Sequence, residues 1–97
     1  MNKEQAQILL TGLGDTAEKV ATALQAEGIT GIPHDATYCP ISLFLKRHGA
    51  DYPAANGDTI IVGVDANGDE IVMDPPAPIS KFIHLFDTDH FPELITK

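Results

Sequence analysis

The dipeptide Asn67-Gly68 constrains the fold of this chain more than any other feature of its sequence. It lies between two runs rich in β-branched and aliphatic residues, 59–64 and 70–74. An Asn-Gly pair between such runs is the strongest short-range signal of a β-hairpin, because both residues tolerate the positive φ angles of a two-residue turn. The sequence therefore predicts an antiparallel hairpin over residues 59–74.

The predicted two-residue loop also sets the register of the hairpin. In this register Val64 lies opposite Ile71, and Val62 lies opposite Met73. Because side chains alternate along a strand, five apolar residues then share one face: Ile60, Val62, Val64, Ile71 and Met73. We expect this face to be buried and the turn to be exposed. A lone hairpin is marginal in water, so helices must pack on it or a third strand must join it.

The segment before the hairpin carries an apolar stripe with the i, i+3, i+4, i+7 spacing of one helix face. The stripe consists of Ala17, Val20, Ala21 and Leu24. Asp15 and Glu18 predict a capping box at the start of this helix, in which each side chain accepts a hydrogen bond from the other residue's backbone N–H. Gly28 predicts the end of the helix, because glycine adopts the left-handed conformation of a helix stop without strain.

Two further stripes predict two further helices. One follows Cys39 and Pro40, and proline suits the first position of a helix; this stripe consists of Ile41, Phe44, Leu45 and His48. The other follows a proline-rich break and consists of Ile79, Phe82, Ile83 and Phe86. A weaker apolar segment over residues 3–13 predicts one or two more helical turns. This order predicts an α+β fold with two or three N-terminal helices, an antiparallel β-hairpin and a C-terminal helix around one core, in a single domain over residues 1–97.

Acidic residues are concentrated in the second half of the chain. Six Lys and Arg residues stand against fourteen Asp and Glu residues, which gives a net charge of −8 at pH 7. Residues 1–50 contribute −1 and residues 51–97 contribute −7. A field of this sign repels phosphate, so we expect no direct binding to nucleic acids or to an anionic membrane. Two interpretations stay open, namely surface charge for solubility and contact with a basic surface of a protein partner.

The candidate partner-binding residues are Asp65, Asp69 and Glu70. The predicted turn presents these three acids together at the tip of the hairpin. Burying like charges that no cation meets costs free energy, so we expect all three to be exposed to solvent. If the chain has a partner, the sequence therefore predicts that the hairpin tip contacts it.

Two polar clusters contain residue types that bind metals. The turn over residues 65–70 has oxygen-bearing side chains at alternate positions, but its glycine is not in the sixth place of a calcium loop, and Pro76 occupies the twelfth. The second cluster consists of His84, Asp87, Asp89 and His90. It lacks the paired spacing of a zinc site and is typical of a solvated helix end. We predict neither a metal nor any other cofactor.

Cys39 is the only cysteine, so no intramolecular disulfide can form. Since the sequence also lacks a recognisable signal peptide and an apolar run of membrane-spanning length, it predicts a cytoplasmic protein. Cys39 is the candidate reactive thiol, because it precedes a helix whose dipole would stabilise a thiolate. A base is not evident, since His48 lies about 13 Å away along the helix and nothing requires His34 to fold back. We interpret Cys39 as a buried structural residue.

The segment Cys39–Leu45 and the segment Pro78–Asp87 carry a resemblance to a known group of proteins. The first is a Cys-Pro-aliphatic-x-x-aromatic-Leu motif, and the second is a helix with Phe-Ile-x-x-Phe-Asp. Together they resemble small uncharacterised proteins of actinobacteria and their phages, over about residues 15–95. The resemblance implies an accessory or phage-borne protein and no established activity, so it assigns no catalytic residue.

These features favour a small acidic protein that acts by protein–protein interaction and modulates a host protein. One alternative is a thiol-dependent enzyme or redox-responsive module centred on Cys39. A second alternative is an inhibitor that mimics nucleic acid, with carboxylates in place of phosphates. Labelling of the thiol distinguishes the first alternative, and competition with DNA distinguishes the second.

Overall fold

A computed structural model describes residues 1–96 of the chain. These residues form four α-helices, a three-stranded antiparallel sheet and one short 3-10 helix. The elements are α1 (Lys3–Thr11), α2 (Ala17–Ala26), α3 (Pro40–Arg47), β1 (Ala54–Ala55), β2 (Ile60–Val64), β3 (Glu70–Met73), α4 (Ala77–Asp87) and the 3-10 helix (Pro92–Leu94). The predicted α+β fold is confirmed, and the weak apolar segment at the start is α1. The predicted domain extends to residue 97, which lies outside the described residues.

Helix α2 begins one residue later than the sequence predicted. Thr16 is its N-cap, and the Thr16 hydroxyl accepts the backbone N–H of Lys19 at 3.1 Å. Asp15 instead forms an ion pair with Lys19 at 2.9 Å, and this contact lowers the pKa of Asp15. The predicted capping box of Asp15 and Glu18 is therefore wrong. Both Asp and Thr are good caps, and the extended backbone of Thr16 makes its hydroxyl the acceptor.

The end of α2 and the start of α3 lie where the sequence predicted them. Gly28 has φ 72° just after α2, and the N–H of Ile29 returns to the carbonyl of Leu24 at 3.1 Å, as in a glycine-terminated helix. Pro40 is the first residue of α3. The buried face of α3 includes Ile41, Phe44 and Leu45, as predicted. His48 lies at the C-terminal end of α3 on the surface, with its ring centroid 4.5 Å from that of Phe44.

The sheet has the strand order β1-β2-β3, so β2 is central and both neighbours are edge strands. In the short strand β1, Ala54 lies opposite Ile61, and Ala55 lies opposite Ile60. The hairpin is thus supported in both of the ways that the sequence left open. The third strand β1 joins β2. Helix α1 packs near β3 of the hairpin, and α3 packs near the added strand β1.

The turn between β2 and β3 differs from the predicted two-residue loop. The N–H of Gly68 donates to the carbonyl of Asp65 at 3.0 Å, and the N–H of Asp65 donates to the carbonyl of Asp69 at 2.8 Å. Three residues therefore connect the two ends of the hairpin. Gly68 takes the left-handed conformation, with φ 83°, which is the usual place of glycine in a three-residue hairpin loop.

The additional loop residue shifts the pairing of the strands by one position. Val64 lies opposite Glu70, whereas the predicted register placed Ile71 there. Since a shift of one residue moves a side chain to the other face, Val64 points away from the core and is 54% exposed. The prediction that Val64 is buried is wrong.

A β-bulge at Val62 returns the rest of β2 to the core. The pairing shifts again between Ile61 and Gly63, which makes Val62 the additional residue on this strand. Val62 is only 1% exposed, and Met73 on β3 is also buried. The predicted burial of these two residues is confirmed. Ile71 is half-buried and packs against the core.

The core lies where α2 packs against α4 and the 3-10 helix. The predicted α4 stripe is fully buried and consists of Ile79, Phe82, Ile83 and Phe86. The ring of Phe82 lies 5.9 Å from that of Phe86 and 5.3 Å from that of Phe91. The C-terminal tail docks through buried Leu94, whose carbonyl accepts the N–H of Gly31 at 2.7 Å. Among the described helices, none is long and apolar enough to cross a membrane.

Candidate functional site

The carboxylate of Asp65 is part of the hairpin turn. Its Oδ1 accepts the backbone N–H of Asn67 at 2.9 Å and the backbone N–H of Asp69 at 3.0 Å. Asp side chains commonly bond to backbone groups two residues further along in this way, and they stabilise the turn by doing so. Asp65 is exposed as predicted, and it also has a structural role that the sequence analysis did not assign to it.

Asp69 and Glu70 are exposed at the same end of the hairpin. Within residues 1–96 the acidic members of the ion pairs are Asp15 and Glu27, which both lie in the first half of the chain. The carboxylates of the second half therefore have no basic neighbour within ion-pair distance among the described residues. Their negative field extends into solvent and is available to attract a cationic group.

Two valines lie next to these acids on the outer face of the hairpin. Val64 is 54% exposed and Val72 is 42% exposed. The register places Val64 beside Glu70 and Val72 beside Ile61 across the two strands. An apolar surface bordered by charged residues is typical of the centre and rim of a protein interface. This surface could not be seen in the sequence, because the predicted two-residue turn placed Val64 in the core.

A groove of about 420 Å³ lies beside the outer edge of β3. It is lined by Lys3, Glu4 and Gln7 of α1 and by Val72, Met73 and Asp74. Helix α1 forms one wall, and the edge strand β3 forms the other. The hairpin therefore combines an acidic tip, an apolar outer face and an open strand edge in one continuous region, which we call the hairpin surface (residues 64–74).

Cys39 is 2% exposed, at the position just before α3. Burial raises the pKa of Cys39 to about 11, and the negative charges of Asp87 and Asp35 act in the same direction. The helix dipole, which the sequence suggested as a source of thiolate, does not outweigh this burial. At neutral pH the side chain is a protonated thiol, which is a poor nucleophile.

The structure brings His34 into the neighbourhood of Cys39, which the sequence did not require. Both residues line a cavity of about 220 Å³ together with Asp87 and Asn56. The contact of His34 with Asp87 is through its backbone, since the His34 N–H donates to Asp87 Oδ1 at 3.0 Å. His48 is at the opposite end of α3, where its Nε2 lies 3.3 Å from Glu27 Oε1. His34 and Cys39 therefore share a cavity, but the pKa of the thiol is raised and the thiol is not activated.

The second polar cluster on α4 has partners within the protein. The backbone carbonyl of His84 accepts the hydroxyl of Thr88 at 3.0 Å, and His90 Nδ1 lies 2.9 Å from the same hydroxyl. The ring of His84 lies against Gly57, where a side chain would collide with it. In the part of the chain that the structure describes, no three His, Cys, Asp or Glu side chains are placed to hold a metal ion.

Two exposed tyrosines form a surface that sequence reasoning did not detect. Tyr38 and Tyr52 line a cavity of about 230 Å³ with Lys46 and Leu43. Tyr52 has φ 55°, in the left-handed region that side chains rarely adopt. No periodic pattern includes either tyrosine, so only the folded chain shows that they are neighbours.

Comparisons with protein-family models, with curated proteins and with solved structures find no match to this chain. The resemblance carried by Cys39–Leu45 and Pro78–Asp87 therefore stays a prediction.

Proposed function

We propose that this chain is an acidic interaction module that binds a basic surface of another protein through its hairpin surface. One observation carries the proposal. The carboxylates of Asp69 and Glu70 are exposed and have no basic neighbour among the described residues. They lie beside two exposed apolar side chains of the same hairpin, Val64 and Val72. Charge of this kind increases the rate of encounter with a basic partner, and apolar contact slows dissociation.

The alternative of a thiol-dependent enzyme is less well supported. Cys39 is buried, and its pKa is raised and not lowered. The nucleic-acid mimic uses the same acidic residues as the interaction module and differs only in the partner that it would occupy. Because DNA competes for the partner only in the mimic, displacement by duplex DNA separates these two functions.

The proposal is tested with two variants of equal charge change. The hairpin variant carries Asp69→Lys and Glu70→Lys, and the control variant carries Glu18→Lys and Glu93→Lys. All four side chains are exposed, and none forms an ion pair within the described residues. The immobilised wild-type protein and both variants are exposed to a lysate, and the retained proteins are identified, purified and measured for association rate against salt concentration.

We expect the wild type and the control variant to retain the same basic protein and the hairpin variant to lose it. The association rate should fall as salt rises, because the Debye length is only about 10 Å at 0.1 M salt. Retention of the same partner by the hairpin variant would refute the proposal. An association rate that is independent of salt would refute it as well.

A further inference from the structure

The edge of β3 that faces away from β2 has backbone groups available for pairing. Asp69 accepts the N–H of Asp65 through its carbonyl, so its backbone groups point toward β2. Because alternate residues of an antiparallel strand bond to the same neighbour, Ile71 and Met73 also point toward β2. The N–H and C=O groups of Glu70 and Val72 therefore point to the opposite side.

No other strand of the described sheet covers this side, since the order is β1-β2-β3. Among the described residues, no backbone hydrogen bond from outside the sheet reaches Glu70 or Val72, and the side-chain hydrogen bonds of the hairpin end on Asn67 and Asp69. The open space beside β3 is the 420 Å³ groove whose far wall is α1. An unpaired edge next to an open groove is the arrangement that accepts an additional strand.

We propose that an extended segment of a partner protein, with basic side chains at alternate positions, adds to the edge of β3 as an antiparallel strand. This inference rests on the proposed function and specifies how the partner is held. Positions 70, 72 and 74 are exposed and alternate with the inward-facing positions, so this outer face presents acid, valine and acid in succession. Val72 and Asp74 also line the groove, opposite Lys3 and Glu4 of α1. Lys or Arg opposite Glu70 and Asp74, with an apolar residue between them, matches this order.

Charge argues against a second copy of this chain as the added strand. Pairing of two β3 strands would bring their acidic side chains together, and like charges directly opposite each other in a sheet are destabilising. Each copy also has a net charge of −8. A basic segment replaces this repulsion by attraction, so the same edge selects a basic partner over its own copy.

The test uses a synthetic peptide, acetyl-Thr-Lys-Thr-Val-Thr-Lys-Thr-amide, and two N-methylated isomers of it. One isomer carries methyl groups on the amide nitrogens of Lys, Val and Lys, which would face β3. The other carries methyl groups on the amide nitrogens of its third, fifth and seventh residues, which are all threonines. These nitrogens would face away from β3. A fourth peptide has Glu in place of each Lys. Affinity for the whole protein is measured by calorimetry, and amide hydrogen exchange is followed by NMR.

We expect the parent peptide and the threonine-methylated isomer to bind alike, and the isomer methylated at Lys and Val to lose at least tenfold in affinity. The Glu peptide should not bind. The amides of Glu70 and Val72 should exchange more slowly in the complex, while the amide of Ile71 should be protected already in the free protein. These results together would support strand addition at β3.

Equal affinity of the two methylated isomers would overturn the inference, and so would unchanged exchange at Glu70 and Val72. Failure of the parent peptide to bind at millimolar concentration would also overturn it. Protection of the same two amides that rises with protein concentration alone would show self-pairing and exclude the basic partner at this edge. None of these outcomes decides the proposed function, which fails only if the hairpin charge variant keeps its partner or if association is independent of salt.

Discussion

Oδ1 of Asp65 accepts the backbone N–H of Asp69 across the hairpin turn, at 3.0 Å. The same oxygen accepts the N–H of Asn67, so one exposed carboxylate holds two amides of the loop. The loop in turn presents Asp69 and Glu70 to solvent. Of the three predicted contact residues, Asp65 therefore shapes the surface, and the other two are free to carry its charge.

Asp65→Ala should lower the free energy of unfolding by about 1 kcal/mol, because it removes both hydrogen bonds to the turn. Asp65→Asn should recover most of this loss, since the amide oxygen remains an acceptor. Asp69→Ala, which removes an equal charge, should change stability by less than about 0.5 kcal/mol. Urea denaturation of the three variants measures these differences. Equal stability of Asp65→Ala and Asp69→Ala would contradict the structural role of Asp65.

Val62→Ala and Val64→Ala test the register of the hairpin with the same chemical change. Val62 is 1% exposed, so its truncation should cost about 1–3 kcal/mol through lost burial and a residual cavity. Val64 is 54% exposed, and its truncation should cost less than about 0.5 kcal/mol. Urea midpoints of both variants provide the measurement. Similar losses from both valines would favour the two-residue turn over the observed bulge.

Burial of Cys39 should make stability depend on pH in alkaline solution. Its pKa is raised from 9.0 to about 11 in the folded protein, so the unfolded chain releases this proton first. The contribution of this thiol to the free energy of unfolding is therefore fully present below pH 9. It is lost as the pH rises toward 11, by an amount on the order of 2 kcal/mol. Thermal denaturation of the wild type and of Cys39→Ala from pH 8 to 11 isolates this contribution. Parallel curves for the two proteins would show that the thiol pKa is not raised.

Iodoacetamide labelling of Cys39 should be slow in the folded protein at pH 7. The thiolate fraction is small at a pKa of about 11, and the sulfur is buried. Labelling should accelerate in urea as the chain unfolds. Fast labelling in the native state, with an apparent pKa below 8.5, would instead support the thiol-dependent alternative.

Gly28→Ala should destabilise the fold by roughly 1 kcal/mol, since alanine is strained at the positive φ of the α2 stop. No atom lies within 4 Å of the position of the added Cβ, so the loss reports backbone strain alone. Gly12→Ala is the matched control, because Gly12 ends α1 with φ −66°. The control should be neutral or slightly stabilising. Thermal midpoints that change equally in both variants would contradict this account of Gly28.

The helix faces could be predicted because they depend on spacing alone. The stripes that begin at Ala17, Ile41 and Ile79 are buried as their period of 3.6 residues requires, except for His48 at the end of the second stripe, which is exposed. The cap of α2 could not be assigned to one residue, because Asp15 and Thr16 are adjacent and both suit the position. The residues of the proposed contact surface could be predicted only in part, since Asp69 and Glu70 follow from charge and the turn, whereas the exposure of Val64 depends on the observed register.

The sequence by itself determined that a hairpin forms around Asn67-Gly68, since turn chemistry and β-branched runs are local properties. It did not determine the length of the loop, because glycine with positive φ serves a three-residue loop as well as a two-residue one. The side-chain bonds of Asp65 within the loop are local, but only the tertiary structure decided the strand register, through the bulge in β2. At the bulge, Gly63 lets the carbonyl of Asp51 approach to 2.9 Å from where a Cβ would stand, and such contacts between distant segments leave no period in a sequence.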